Sequence, residues 1–179
     1  ALWMVFLLPL AAQQPEELKL KDYRPRVIHQ VPETKVERAR FPAIDVHSHP
    51  YANSPEEIET WVKRMASLGI ERTVILTAAV GERFDSLMAL YGRYPEHFEV
   101  WCGIDFRGFN QEGWPEKAVR ELVRCHRAGA KGVGEIHDKG LGLQSRDLKT
   151  EGLRIDDPRM QPLLAKLAEL GMPPNIHMA

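Results

Sequence analysis

Phe41-Pro42-Ala43-Ile44-Asp45-Val46-His47-Ser48-His49-Pro50 is the stretch from which the rest of the chain can be read. Ala43 to Val46 is a short run of strand character, and Pro50, followed by Tyr51-Ala52-Asn53-Ser54-Pro55, ends it. Side chains at i and i+2 on a strand point to the same face. His47 and His49 therefore leave the strand's C-terminal end side by side, a two-point grip suited to zinc, iron or a similar divalent ion. By the same period Asp45 is expected on that face, one step deeper, as a partner for a ring N–H. The plain alternative is a pair of solvated loop histidines, so the reading needs support elsewhere in the chain.

Working outward, a strand–helix rhythm runs from Phe41 to the end. Ser54-Pro55-Glu56-Glu57 opens a helix, with Ser54 as N-cap, Pro55 at the first helical position and Glu57 completing a capping box. Ile58, Trp61, Val62, Met65 and Leu68 recur at helical spacing, and Gly69 stops the helix. Strands are expected over 70–77, 98–104, 130–136 and 174–178. Helices are expected over 82–94, from Trp114 to Gly129, and from Pro158 to Gly171. Alternation of this kind, with mostly continuous apolar strands, predicts an α/β fold with a parallel sheet. An open doubly wound sheet and a (β/α)8 barrel both fit. His-Ser-His-Pro stands where a doubly wound nucleotide-binding sheet would carry a glycine-rich phosphate loop, and barrel enzymes work at the C-terminal ends of their strands. Five strands are slightly more than half of such a barrel.

The 179 residues suffice for one domain with a real core, and 24 Lys+Arg against 25 Asp+Glu leave no basic footprint for nucleic acid. Cys102 and Cys125 fit neither a disulfide framework nor a zinc ribbon and are expected as buried free thiols. Leu2-Trp3-Met4-Val5-Phe6-Leu7-Leu8-Pro9-Leu10-Ala11-Ala12 is too short to span a bilayer and resembles the apolar core and cleavage zone of a secretory signal peptide. Residues 1–14 are thus expected to be an incomplete signal peptide that directs export and leaves no stable membrane insertion. Residues 15–40, polar and punctuated by Pro15, Pro25 and Pro32, are expected to be a linker or extended arm with one short strand near 26–29. Residues 41–179 are expected to form the one folded unit, a partial barrel.

Two further strand ends carry metal-capable groups. In Lys131-Gly132-Val133-Gly134-Glu135-Ile136-His137-Asp138 the period of two puts Val133, Glu135 and His137 on one face, and Gly132 and Gly134 on the other, where a helix could pack closely. A glutamate in an otherwise apolar strand is costly to bury unpaired, and a metal would satisfy it. Asn175 and His177 end the fifth strand in the same way, so a third strand-end histidine fits a three-ligand site with an open position for water. His29, His97 and His126 sit in weaker contexts. Asp105 and Arg107 follow the third strand and are candidates for the mouth of the site. Arg146, Lys149 and Arg154 lie in a long loop and could hold a carboxylate substrate, a solvated loop being the plainer reading.

With these residues in view, the chain resembles the amidohydrolase-related branch of the metal-dependent amidohydrolase superfamily. The likeness rests on Asp-Val-His-Ser-His at 45–49, Gly-Ala-Lys-Gly-Val-Gly-Glu-Ile at 129–136, and Asp-Asp-Pro-Arg-Met-Gln-Pro-Leu-Leu at 156–164 leading to Gly-Met-Pro-Pro-Asn-Ile-His at 171–177. The resemblance implies a distorted (β/α)8 barrel, here cut after about the fifth strand, with one divalent ion, zinc foremost. It makes His47, His49 and His177 metal ligands. Glu135 matches a position that supplies a ligand in some branches, and Glu135 and His137 are the candidate catalytic groups. A histidine after the sixth strand and a proton-handling aspartate after the eighth would complete the family's site and lie outside these residues, so this stretch alone is expected to be inactive and prone to associate.

The activity this implies is hydrolysis of an amide, ester or lactone bond in a small molecule by metal-activated water. Three alternatives stay open: a non-oxidative decarboxylase on the same scaffold, a TatD-like nuclease or phosphoesterase, and a non-catalytic exported binding module. The expected partner is a small-molecule substrate, with self-association compatible and nucleic acid not expected.

Overall fold

The computed structural model describes residues 18–26, 29–35, 39–138 and 152–177. The expected signal peptide, the core of the expected strand near 26–29, and Arg146 and Lys149 lie outside them. The chain divides into two compact units, Ala1–Val36 and Glu37–Ala179. In the first, a short 3-10 turn covers Leu20–Asp22, and the Arg24 guanidinium donates to the Lys21 carbonyl.

The second unit runs β1 (Ala43–Ser48), α1 (Pro55–Leu68), β2 (Ile70–Leu76), α2 (Gly81–Tyr91), β3 (Phe98–Trp101), α3 (Trp114–Arg127), β4 (Val133–Ile136), α4 (Gln161–Leu170) and β5 (Pro174–Ile176). The punctuation of α1 is as its sequence dictates. Ser54 Oγ accepts from the Glu57 amide, Pro55 occupies the first turn, and Gly69 closes the helix at φ 74°. One detail differs: the Glu57 carboxylate reaches back to the Asn53 N–H, at 2.6 Å, rather than to the Ser54 amide. Pro158 opens a 3-10 turn, Pro158–Met160, with Asp157 as its cap, before α4 begins.

All pairings are parallel. β1 pairs with β2, β2 with β3 and β4 with β5, while Cys102, just past β3, bridges to Val133. The strands therefore lie in the order of the chain. Among the described residues there are five of them, and β1 and β5 do not meet. The expected α/β class with parallel strands holds, without closure.

One buried cluster joins Ile58 and Met65 of α1, Phe84 and Tyr91 of α2, Leu122 and Cys125 of α3 and Leu167 of α4 to Ile75, Phe98, Val100, Val133 and Ile136 of the strands. All four helices thus cover the same side of the sheet. Burial of these side chains is the main favourable term, each worth roughly 1.5–3 kcal/mol. Both cysteines are free and buried in this cluster, as expected. A smaller cluster of Phe109, Trp114, Ala118, Leu153, Met160 and Leu163 underlies the loops after β3 and β4.

Among the described residues of this unit, no helix packs on the opposite side of the sheet. Its residues include Leu76, Trp101 and the Arg72–Glu99 ion pair, and at its β1 end Ile44 and Val46 are 58% and 66% exposed. Gly132 and Gly134 face this side. A Cβ on Gly132 would lie 2.4 Å from the Trp101 indole, and one on Gly134 would lie 2.9 Å from both Asn175 Cβ and Leu76 Cδ2. The expectation that these glycines admit a helix is therefore corrected. They admit side chains of neighbouring strands.

Candidate metal centre

The site lies at the C-terminal ends of β1, β4 and β5, and two irregularities in the sheet shape it. Between Asp45 and Ser48, β1 advances three residues while β2 advances two, Thr73 to Ile75. Between Val133 and Ile136, β4 advances three while β5 advances two, Pro174 to Ile176. Each strand carries one extra residue, a bulge, and bulges re-aim side chains beside functional sites.

The first bulge overturns the expected place of Asp45. Asp45 pairs with Thr73, whose hydroxyl faces Met65 of α1, so its side chain belongs to the helix side. There it lines a cleft with Tyr51, Glu57, Trp61 and Arg64, and its Oδ1 accepts the backbone N–H of His47 at 3.1 Å. It holds the turn of the strand, not a ring nitrogen. The second bulge overturns the expected common face of Val133 and Glu135. Val133 is fully buried among the helices, whereas Glu135 turns to the histidines.

Glu135 is 7% exposed and is the centre of the arrangement. Its Oε2 lies 3.6 Å from His47 Nε2, 3.9 Å from His49 Nε2 and 3.4 Å from His137 Nε2. Its Oε1 accepts a hydrogen bond from His177 Nδ1. The four histidines singled out at strand ends thus converge on the one buried carboxylate. The His47 and His49 rings meet edge to face at 5.3 Å, and the His137 and His177 rings are 5.7 Å apart. Burial pushes the Glu135 carboxyl up, but the His177 hydrogen bond and the neighbouring His137 and His47 rings outweigh it and hold it below its ordinary value. It is a carboxylate at neutral pH.

Among the described residues, His47, His49 and Glu135 form a group whose ligand atoms all lie within 4.8 Å of one another. The tautomer of His49 bears on what it can hold. Its Nδ1 faces the Leu76 carbonyl at 3.1 Å, and since a carbonyl only accepts, Nδ1 carries the proton. In the neutral ring, Nε2 then presents a lone pair toward a carboxylate oxygen 3.9 Å away. Two acceptors facing each other call for a cation. Ligand atoms around a tetrahedral zinc at 2.0–2.1 Å stand about 3.3 Å apart, and the His47 and His49 nitrogens at 3.6 and 3.9 Å from Glu135 Oε2 would draw inward onto an ion. The donor set fits a divalent metal. His177 and His137 border that group rather than belonging to it.

The remaining candidates fall away from this centre. Asp105 is buried, and both its oxygens are taken by the Arg107 guanidinium at 2.7 and 2.8 Å, with Lys117 at 3.5 Å. The Arg107 hydrogen bond holds its carboxyl below the ordinary range. This pair, with the Trp114 indole N–H on the Asp105 carbonyl, fixes the loop after β3. Arg154 is exposed and paired with Asp156 at 3.0 Å. His97 sits in the turn before β3 beside Glu96, and His126 is half-buried on α3.

Sequence reasoning missed three supports. Tyr91 holds the loop after His49 by two hydrogen bonds to Ala52. Asp138, 2% exposed, accepts the Leu153 amide across the loop after β4. Ala78, with its positive φ of 50°, donates its N–H to the Gly134 carbonyl. Only Asp138 carried a local hint, an acid directly after a strand histidine. No family description, curated protein or solved structure matches the chain. Among the described residues no helix is long and apolar enough to cross a membrane.

Proposed function

We infer that this chain carries the metal centre of an exported, metal-dependent hydrolase of the amidohydrolase-related kind, acting on an amide, ester or lactone bond of a small molecule. The observation that carries the reading is a buried, ionised Glu135 faced by His47 and His49 with a lone pair of His49 directed at it. Consecutive parallel strands with all helices on one side, and exposed Ile44 and Val46 on the other, support a (β/α)8-type barrel as the parent architecture, because parallel sheets are normally covered on both faces.

In this reading His47, His49 and Glu135 hold the ion, and His177 fixes the orientation of Glu135 through Nδ1. A bound divalent ion such as zinc supplies polarisation of a substrate oxygen and a water pKa near 7. His137, half-buried with Nε2 3.4 Å from Glu135, takes up or releases a proton in this reading. The His49–Leu76 hydrogen bond keeps the ring in the tautomer that ligation needs.

Elemental analysis of the purified protein and of His47→Ala, His49→Ala, Glu135→Gln and His177→Ala is the test. About one ion per chain is expected in the parent. Near-complete loss is expected for either of the first two variants, and a 10–100-fold weaker affinity for the last two. Wild-type metal content in all four removes the site. Assay of the metal-loaded full-length protein on amide, ester and lactone libraries should release an acid with an amine or alcohol. Release of carbon dioxide instead would move the reaction to decarboxylation.

A further inference from the structure

The Glu135 carboxylate is held not only by its histidines but from behind, by backbone. Ala78 lies two residues past the end of β2, and its N–H donates to the carbonyl of Gly134, the residue before Glu135, at 2.9 Å. It does so with a φ of 50°, the only positive φ outside glycine among the described residues. Non-glycine residues rarely adopt this region, and β-branched ones are true outliers there. Ala78 is itself exposed, so burial of its side chain does not account for the conformation.

What makes room for it is Gly103. A Cβ on Gly103 would sit 2.4 Å from the Ala78 oxygen and 2.5 Å from its carbonyl carbon. Only glycine lets the segment after β3 press this closely on Ala78. The Gly103 amide donates to the Ala79 carbonyl at 2.7 Å, and the Gly134 amide donates to Cys102 at 2.8 Å. The backbones after β2 and β3 and that of β4 thus lock together one residue behind the carboxylate.

We propose that Ala78 and Gly103 are positioning residues for Glu135: the left-handed turn at Ala78, pinned by the absence of a side chain at Gly103, sets where the carboxylate meets His177 and a divalent ion. The inference rests on the metal-centre reading for its consequence and on backbone geometry for its cause. Two variants break the device differently. Ala78→Val puts a β-branched residue at a positive φ while its side chain points to solvent. Gly103→Ala forces the two segments apart. Two controls leave it intact. Ala78→Gly keeps the conformation accessible. Gly92→Ala creates a comparable clash, 2.5 Å from the Met88 oxygen, at the end of α2.

Two readouts separate the proposal from its premise. Zinc titration should show affinity lower by on the order of 10–100-fold in Ala78→Val and Gly103→Ala, the range for loss of a ligand's support, and near-parental affinity in both controls. In the metal-free protein at fixed pH, the His177 Nδ1 proton hydrogen-bonded to Glu135 should give a downfield resonance in the parent and controls, lost or shifted in the two test variants. If the parent binds no zinc while only the test variants lose the resonance, the metal reading fails and the positioning role stands. An unchanged resonance in Ala78→Val overturns the proposal, and that variant decides should Gly103→Ala fail to fold.

Discussion

Replacing Tyr91 by Phe removes one oxygen and, with it, the clamp on the loop that follows the two β1 histidines. The Tyr91 hydroxyl accepts the Ala52 N–H at 2.9 Å and donates to the Ala52 carbonyl at 2.9 Å. Ala52 is 5% exposed, so water does not readily replace either bond. Two ordinary hydrogen bonds are worth about 1–3 kcal/mol net, and leaving both backbone groups of Ala52 unpaired moves the loss to the upper part of that range. The ring itself is retained, with its edge-to-face contacts to Trp61 at 6.1 Å and Phe98 at 5.4 Å, so little packing is lost. We expect about 2–3 kcal/mol of destabilisation in urea unfolding with an unchanged m-value, and faster hydrogen exchange at Ala52 than elsewhere in the core. Burial also pushes the Tyr91 hydroxyl up to about 12. A raised folded-state value means stability that is full below the unfolded value near 10 and is lost as pH rises toward 12. The parent should lose that increment at alkaline pH and Tyr91→Phe should not. A loss under about 0.5 kcal/mol, with parental exchange at Ala52, would refute the clamp.

Two further perturbations probe the scaffold. Gly132→Ala drives a Cβ to 2.4–2.6 Å from three carbons of the Trp101 indole, a flat group that cannot step aside; overpacking of this kind should cost about 1–3 kcal/mol in denaturant unfolding, and Trp101→Leu in the same background should recover part of it. Asp157→Ala removes the cap on the Arg159 amide at 2.9 Å and should lower stability by about 1 kcal/mol at pH 7. Because Arg159 pulls the Asp157 carboxyl down to about 2, the cap's contribution is present above the unfolded value near 4 and is lost as pH falls through about 2, so the parent and Asp157→Ala should converge in acid unfolding.

The parts of the molecule written locally were legible, and the parts set by pairing were not. Ser54, Pro55, Glu57 and Gly69 act within one or two turns of themselves, and α1 begins and ends where they say. The histidines at 47, 49, 137 and 177 were legible because a polar residue at the end of an apolar run stands out in any register, and all four reach the same carboxylate. Asp45 and Val133 were misplaced for one reason. A bulge adds a residue to one strand relative to its neighbour, and nothing in that strand's own composition announces it. Period two therefore holds up to the bulge and flips beyond it, which is where the site is built.

The glycines of β4 repeat the point from another direction. Their spacing showed that something must come close, and a helix is the usual visitor to a glycine face. On this sheet the described helices gather on the side of Val133 and Ile136, so what fills the space beside Gly132 and Gly134 is Trp101, Leu76 and Asn175 from other strands. The same arrangement explains why Glu135 can be buried at all. The glycines let flanking side chains close over the strand, Ala78 takes up the Gly134 carbonyl, and the carboxylate faces four imidazoles. A carboxylate with that company has its negative charge offset in one of two ways, by protonated rings or by a metal ion. The His49 ring is committed by Leu76 to the tautomer that serves the second.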